Sequence, residues 1–145
     1  MSKSRGRQEP IIHVRLGIKP FSANNMHYAR KRVDSREYKE FKGTIADLIG
    51  GNYHVSPKAQ LKLTLISGFS SKASDLDNTF KPLLDSMQLC MGFDDKQIYI
   101  VEAVKDVGKR GEEYLLIKLE EIQQGKITRM INKITEMFYD TKANQ

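Results

Sequence analysis

The sequence predicts an α+β domain, a small mixed sheet with helices packed on it, in the order β-α-β-α-β-β-α. Three observations carry this. Apolar and polar residues alternate in short stretches, as one-sided strands require. In two longer stretches apolar residues recur at spacings of three and four, as one-sided helices require. Glycine and proline fall between these stretches, where the chain must turn.

The first strand is expected over 11–18, where Ile12, Val14, Leu16 and Ile18 share a face before Pro20 stops it. A polar loop follows over 19–34. A helix is predicted over 35–49 from the stripe Tyr38, Phe41, Ile45, Leu48 and Ile49. Asp34 and Glu37 have capping-box spacing with Asp34 as N-cap, and Gly50-Gly51 ends the helix. Leu61, Leu63 and Leu65 mark a second strand over 60–67. The polar run SSKASDLDN then leads into an apolar helix that reaches Cys90, with Gly92 at its C′ position. Pro82 belongs in the first turn of that helix, because an interior proline loses a backbone bond and clashes. This makes Asn78 or Thr79 the N-cap and leaves Asp75 and Asp77 just ahead of it. Strands over 97–105 and 113–119 are joined across Gly108-Lys109-Arg110-Gly111. The last helix, over 125–140, carries the stripe Ile127, Met130, Ile131, Ile134, Met137 and Phe138. Such a stripe most often packs on the domain's own sheet, and a dimer contact is the alternative.

The chain has 145 residues, 39% of them hydrophobic and 29% charged, which suits a single domain with one core. All of 1–145 is therefore read as one domain, with 1–9 a basic flexible tail and 120–145 a helical extension. No apolar run approaches the roughly 20 residues of a membrane span, and the basic N-terminus has no hydrophobic segment behind it. The expected location is cytoplasmic, in a bacterial cell or a phage-infected host. A single cysteine, Cys90, excludes an intrachain disulfide and a cysteine zinc site. His13, His27 and His54 lack the spacing of a zinc hydrolase, and no Walker-type glycine loop calls for a nucleotide cofactor.

Charge is distributed unevenly. The net charge is +6, but residues 1–42 carry +7 and residues 71–95 carry −3. A basic protein with one pocket of aspartates suits a polyanion and a metal ion together. Two solvated faces of unlike sign are the plainer reading. The acidic group is Asp75 and Asp77, with Asp94 and Asp95 one helix later. In an extended backbone residues i and i+2 point to the same side, so both carboxylates of Asp75 and Asp77 face one ion. Hard oxygen ligands suit Mg²⁺ or Mn²⁺. If the second and third strands are neighbours, the helix between them returns the chain to the same edge and a third carboxylate completes the site. Lys81 follows Asp77 by one helical turn, where an ammonium can stabilise charge on a phosphate. An Asp–Lys surface pair is the bland alternative.

The run Asp75-Leu76-Asp77-Asn78-Thr79-Phe80-Lys81-Pro82-Leu83-Leu84-Asp85, with Gly92-Phe93-Asp94-Asp95-Lys96-Gln97-Ile98 after it, resembles the signature of the RusA family of Holliday junction resolvases. The loop Lys19-Pro20-Phe21-Ser22-Ala23-Asn24-Asn25-Met26-His27-Tyr28 resembles that family's N-terminal P-x-S-x-N loop. The resemblance spans roughly 11–119 and implies a RusA-like fold. It also implies a homodimeric, Mg²⁺-dependent endonuclease, with Mn²⁺ able to substitute, that nicks opposed strands of a four-way DNA junction. On this resemblance the metal-site aspartates are Asp75, Asp77 and Asp95, and the essential lysine is Lys81. Asn78, Asp85 and Asp94 match further motif positions, with Asp85 able to orient Lys81. Candidate DNA contacts are Asn24, Asn25, Tyr28, Arg30, Lys31, Arg32, Lys72 and Asn78. Some members of the family place a run of arginines directly before the motif, where this chain has Ser70-Ser71-Lys72-Ala73-Ser74 with one positive charge. Two other readings stay open: a non-catalytic branched-DNA-binding protein whose aspartates cap a helix, and a metal nuclease for flaps, forks or single strands.

Overall fold

The computed structural model describes residues 8–28 and 33–143. Its elements are β1 (Ile12–Leu16), α1 (Arg36–Ile49), β2 (Leu61–Phe69), α2 (Phe80–Met91), β3 (Ile98–Val107), β4 (Tyr114–Glu121) and α3 (Lys126–Ala143). Short 3₁₀ turns at Ala23–Asn25, Asp77–Thr79 and Asp95–Gln97 precede α1, α2 and β3. This is the α+β class and the element order that the periodicities predict.

The four strands form one mixed sheet in the order β1-β4-β2-β3. β4 runs antiparallel to both β1 and β2, and β3 runs parallel to β2. Consecutive strands β3 and β4 are therefore not neighbours. The side chains explain the exchange: Leu115, Ile117 and Leu119 of β4 are all buried and suit a central strand. On β3, Tyr99, Val101, Val104 and Val107 remain exposed, as on an edge.

One face of the sheet carries α1 and α2. Leu63 and Leu65 of β2 meet Phe41 and Ile45 of α1 and Leu83, Met87 and Met91 of α2 in a continuous core. Phe21 extends it from the N-terminal loop by stacking on Phe41 and Tyr38, with ring centres 5.1 and 5.7 Å away. On the opposite face Gly68 lies directly under the Tyr114 ring, where a Cβ would come within 2.3 Å of the ring. The Arg15 guanidinium caps that ring from 4.5 Å.

Two local expectations change. The N-cap of α1 is Ser35, not Asp34: the Ser35 hydroxyl accepts the Tyr38 amide at 3.1 Å, while the Asp34 carboxylate is taken by Lys42. The apolar stripe of α3 does not pack on the domain's own sheet. Ile131, Ile134 and Phe138 are exposed, because the helix-bearing face is already filled by α1 and α2.

Candidate active site

The turn that carries the DLDN motif is built by its neighbours. Thr79 is buried, and its hydroxyl donates to the Leu76 carbonyl at 2.7 Å and lies 3.2 Å from the buried Ser67 hydroxyl of β2. The Thr79 amide donates to the same carbonyl at 3.1 Å. These bonds wind Asp77–Thr79 into a 3₁₀ turn that runs into α2. Leu76 is consequently helical, with φ −61° and ψ −44°. The same-side argument for an extended chain does not apply to Asp75 and Asp77, and the turn alone sets their relation. Both residues are exposed. Asp75 accepts from the Asn78 side-chain amide at 3.4 Å; among the described residues no side-chain bond or ion pair engages the Asp77 carboxylate.

Across from this turn sits the N-terminal loop. Pro20, Ser22 and Asn24 line a cleft of about 250 Å³ together with Ser74, Asp75 and Asn78. The Ser22 hydroxyl accepts the Asn24 amide at 3.2 Å and shapes that loop. Two motifs some fifty residues apart in sequence thus face each other. Lys105 of β3 braces the motif loop from below, its ammonium donating to the Lys72 carbonyl at 2.7 Å and to the Ser74 carbonyl at 2.5 Å. Sequence reasoning passed over Lys105. Its signal was a lysine on the face of β3 that otherwise reads Val101, Ala103 and Val107.

Lys81 projects from the first turn of α2 and pairs with Asp85 at 3.3 Å, one turn further along. Asp85 in turn accepts from the Tyr38 hydroxyl of α1 at 3.0 Å. Burial and that donation to a carboxylate hold the Tyr38 phenol above its ordinary pKa, so it stays a donor. The Lys81–Asp85 pair is the one that the resemblance suggests, while the Tyr38 bond to Asp85 was missed. A buried tyrosine in an otherwise aliphatic and phenylalanine stripe is the signal, because its hydroxyl needs an acceptor. Lys81, Asp85 and Tyr38 line a second hollow of about 610 Å³ with His27, Asp34 and Lys42. There the Lys42 ammonium holds the Asp34 carboxyl below its usual value.

The Asp94–Asp95 pair lies elsewhere. β2 and β3 are neighbours, but they are parallel. The DLDN turn follows the end of β2, whereas Asp94 and Asp95 precede the start of β3. The 12 residues of α2 separate the two, about 18 Å at 1.5 Å per residue. A parallel crossover returns the chain to the opposite end of the sheet, so one chain does not bring Asp95 to Asp75 and Asp77. Asp94 is the N-cap of the turn Asp95–Gln97, accepting the Lys96 amide at 3.0 Å, while the Gln97 side chain accepts the Asp94 amide at 3.0 Å. The Lys96 amide, and after it a bond with the Asp95 side chain, holds the Asp94 carboxyl below its usual pKa.

A family model described as endodeoxyribonuclease RusA matches residues 18–119. The chain belongs to the RusA endodeoxyribonuclease family. No curated protein matches it. The RusA match begins just before the N-terminal loop and ends in β4, so it includes both walls of the cleft, the Lys81–Asp85–Tyr38 relay and the Asp94–Asp95 turn. Helix α3 lies beyond it. Among the described residues, no helix is long and apolar enough to cross a membrane.

Whether these residues fit a divalent metal has two answers. By type they do, since Asp75 and Asp77 offer hard oxygens and, among the described residues, no cation pairs with either. By number they do not: among the described residues no three His, Cys, Asp or Glu side chains gather to hold an ion. Of the candidate DNA contacts, Asn24, Asn25, Tyr28 and Lys72 are exposed and Asn78 lies in the cleft wall. Arg30, Lys31 and Arg32 lie outside the described residues.

Proposed function

We propose that the protein is a Mg²⁺-dependent, structure-selective endodeoxyribonuclease that resolves four-way DNA junctions by paired symmetric nicks, acting as a homodimer in recombination and repair. The observation that carries the reading is the cleft in which Asn24 of the N-terminal loop faces Asp75 and Asn78 of the DLDN turn, inside the span of the RusA match.

Asp75 and Asp77 would hold Mg²⁺ or Mn²⁺; Asp95, the third carboxylate that the family resemblance implies, stands at the opposite end of the sheet in the same chain and would have to come from the second protomer. Bound there, the ion supplies positive charge that polarises the scissile phosphate and acidifies a water. Lys81 places an ammonium near the charge that builds on the phosphate. Asp85 limits its excursions, and Tyr38 holds Asp85 in turn. Asn24 and Asn78 offer amide donors to phosphate oxygens at the cleft rim, and Tyr28 an exposed ring to a sugar or base. The basic groups of residues 30–42 take the flanking arms through their phosphates, so binding weakens steeply with salt. Two equivalent sites related by a two-fold axis suit a junction that needs two equivalent cuts.

The test incubates the protein with a labelled four-way junction, with and without Mg²⁺, beside Asp77→Asn. Paired nicks that require the metal and vanish in the variant, on the order of 100-fold or more below wild type, are the expected result. Tight binding with no cutting in Mg²⁺ or Mn²⁺ would sink the reading and leave a DNA-binding module.

A further inference from the structure

The cleft at the DLDN turn leads on into the hollow between α1 and α2. Asn78 lines the first, and Lys81, one turn further on, lines the second. Lys81, Asp85 and Gln88 follow one another at spacings of four and three, so a single face of α2 runs from the candidate metal site into the hollow. The hollow holds about 610 Å³, and the buried Met26 and Phe93 close its floor. Its α1 wall carries a second cation. The N-terminal loop returns on itself there: His27 and Asp34 form an antiparallel bridge, and the Ser35 amide donates to the Met26 carbonyl at 2.8 Å. Asp34 engages the Lys42 ammonium, which lies 4.4 Å from the centre of the Tyr38 ring. Lys42 is thereby held by two partners, and its side chain is 21% exposed against 66% for Lys81. Tyr38 links the two walls, since its hydroxyl donates to Asp85, the partner of Lys81.

We propose that this hollow seats the DNA strand beside the scissile phosphate, and that Lys42 grips a phosphate of that strand next to the one over Lys81. The proposal rests on the nuclease reading above and adds a substrate-binding residue to its site. An ammonium has three donors, and Asp34 accepts from the Lys42 ammonium through one carboxylate oxygen. A phosphate oxygen therefore finds donors there without displacing the carboxylate. Lys42 is also set in place before any ligand arrives, and a long side chain that is already held loses little freedom on binding. Two lysines, each aligned by one carboxylate, thus line one hollow across one tyrosine, and a strand that follows the exposed face of α2 meets both. A pair that only braced α1 would need neither the hollow in front of it nor the second lysine across it.

Lys42→Met tests it, because methionine keeps an unbranched chain over the Tyr38 ring and removes the charge. Binding of a labelled four-way junction is measured without divalent ions over a range of salt. The variant should bind roughly 10-fold more weakly, and its slope of log affinity against log salt should be shallower by about one unit. Lys42→Arg should keep the wild-type slope, and Lys42→Gln replaces the methionine variant if that one does not fold. An unchanged slope after loss of the charge, whatever happens to Tm, overturns the proposal and leaves Lys42 a brace for Asp34. Methylphosphonates then replace the phosphates of one strand singly through the crossover. One neutral position beside the cut should weaken wild type and leave Lys42→Met unaffected. Losses that add at every position overturn the contact, and a matching position on a distant arm overturns its place beside the cut. All of these arms read binding. A wild type that holds the junction and never nicks it defeats the nuclease reading, while the slope and the scan still decide whether Lys42 grips a phosphate at the crossover.

Discussion

The two ends of α2 each carry a pair of aspartates and use them differently. At the N-terminal end, hydroxyls and backbone groups build the turn: Ser67, Thr79 and the Leu76 carbonyl close it, the Asp77 carbonyl accepts the Phe80 amide, and among the described residues the Asp77 carboxylate takes no part in holding it. At the C-terminal end the fold consumes its polar side chains. Asp94 and Gln97 cap one another, and the Gln97 amide also donates to the Ser56 and Ala59 carbonyls at 2.8 and 3.0 Å. The same residue type is left for a ligand at one end and spent on structure at the other. Counting aspartates does not separate these uses; their hydrogen bonds do.

The comparison predicts that substitutions in the DLDN turn change cutting, whereas those of Asp94 and Gln97 change stability. After Asp77→Asn, the largest effect is expected at Lys81. Lys81→Ala should cut roughly 100-fold more slowly with an unchanged denaturant midpoint, because its ammonium is exposed and, among the described residues, pairs with Asp85 alone. Gln97→Ala should lose about 1 kcal/mol of unfolding free energy, since two carbonyls and one amide lose a partner, and one of those carbonyls, that of Ala59, does so in a partly buried place. Urea titration measures it, and a normal midpoint with slow cutting would reverse the assignment of the two ends. Tyr38→Phe should slow cutting only about 2- to 10-fold, the worth of one hydrogen bond, with junction affinity unchanged. An affinity loss in place of a rate loss would show that Tyr38 does not act through Asp85 and Lys81. The smallest effect concerns pH. The folded pKa of Asp94 is lowered, so its contribution is present above the ordinary carboxylate value and is lost as pH falls through the lowered one. Below about pH 3.8, Asp94→Asn should flatten part of the fall in Tm; a profile parallel to wild type would remove Asp94 from the acid response.

Much of this molecule was legible in the chain. Alternation located the first two strands, because a one-sided strand must alternate, and the turn residues Gly108-Lys109-Arg110-Gly111 located the two that flank them. Pro82 and Gly92 framed α2 because one removes a donor and the other accepts a left-handed backbone, seen at Gly92 with φ +77°. The DLDN and N-terminal loop motifs were visible as residue types at fixed spacing. Other features had weaker signals. Ser35 and Asp34 are both N-cap formers, and only Lys42, eight residues on, decided between them by engaging the aspartate. The stripe on α3 announced a covered face without saying what covers it.

By itself the sequence determined the elements, their order and the family, since these follow from local periodicity, turn chemistry and motif spacing. Tertiary structure decided where the elements went: β4 between β1 and β2, β3 at the edge and parallel to β2, and Asp95 a helix length from Asp75 and Asp77. The reason is that strand order and direction come from how whole faces bury against one another. A run of residues records that it needs a partner, while which partner and which way round depend on every other face competing for the same core.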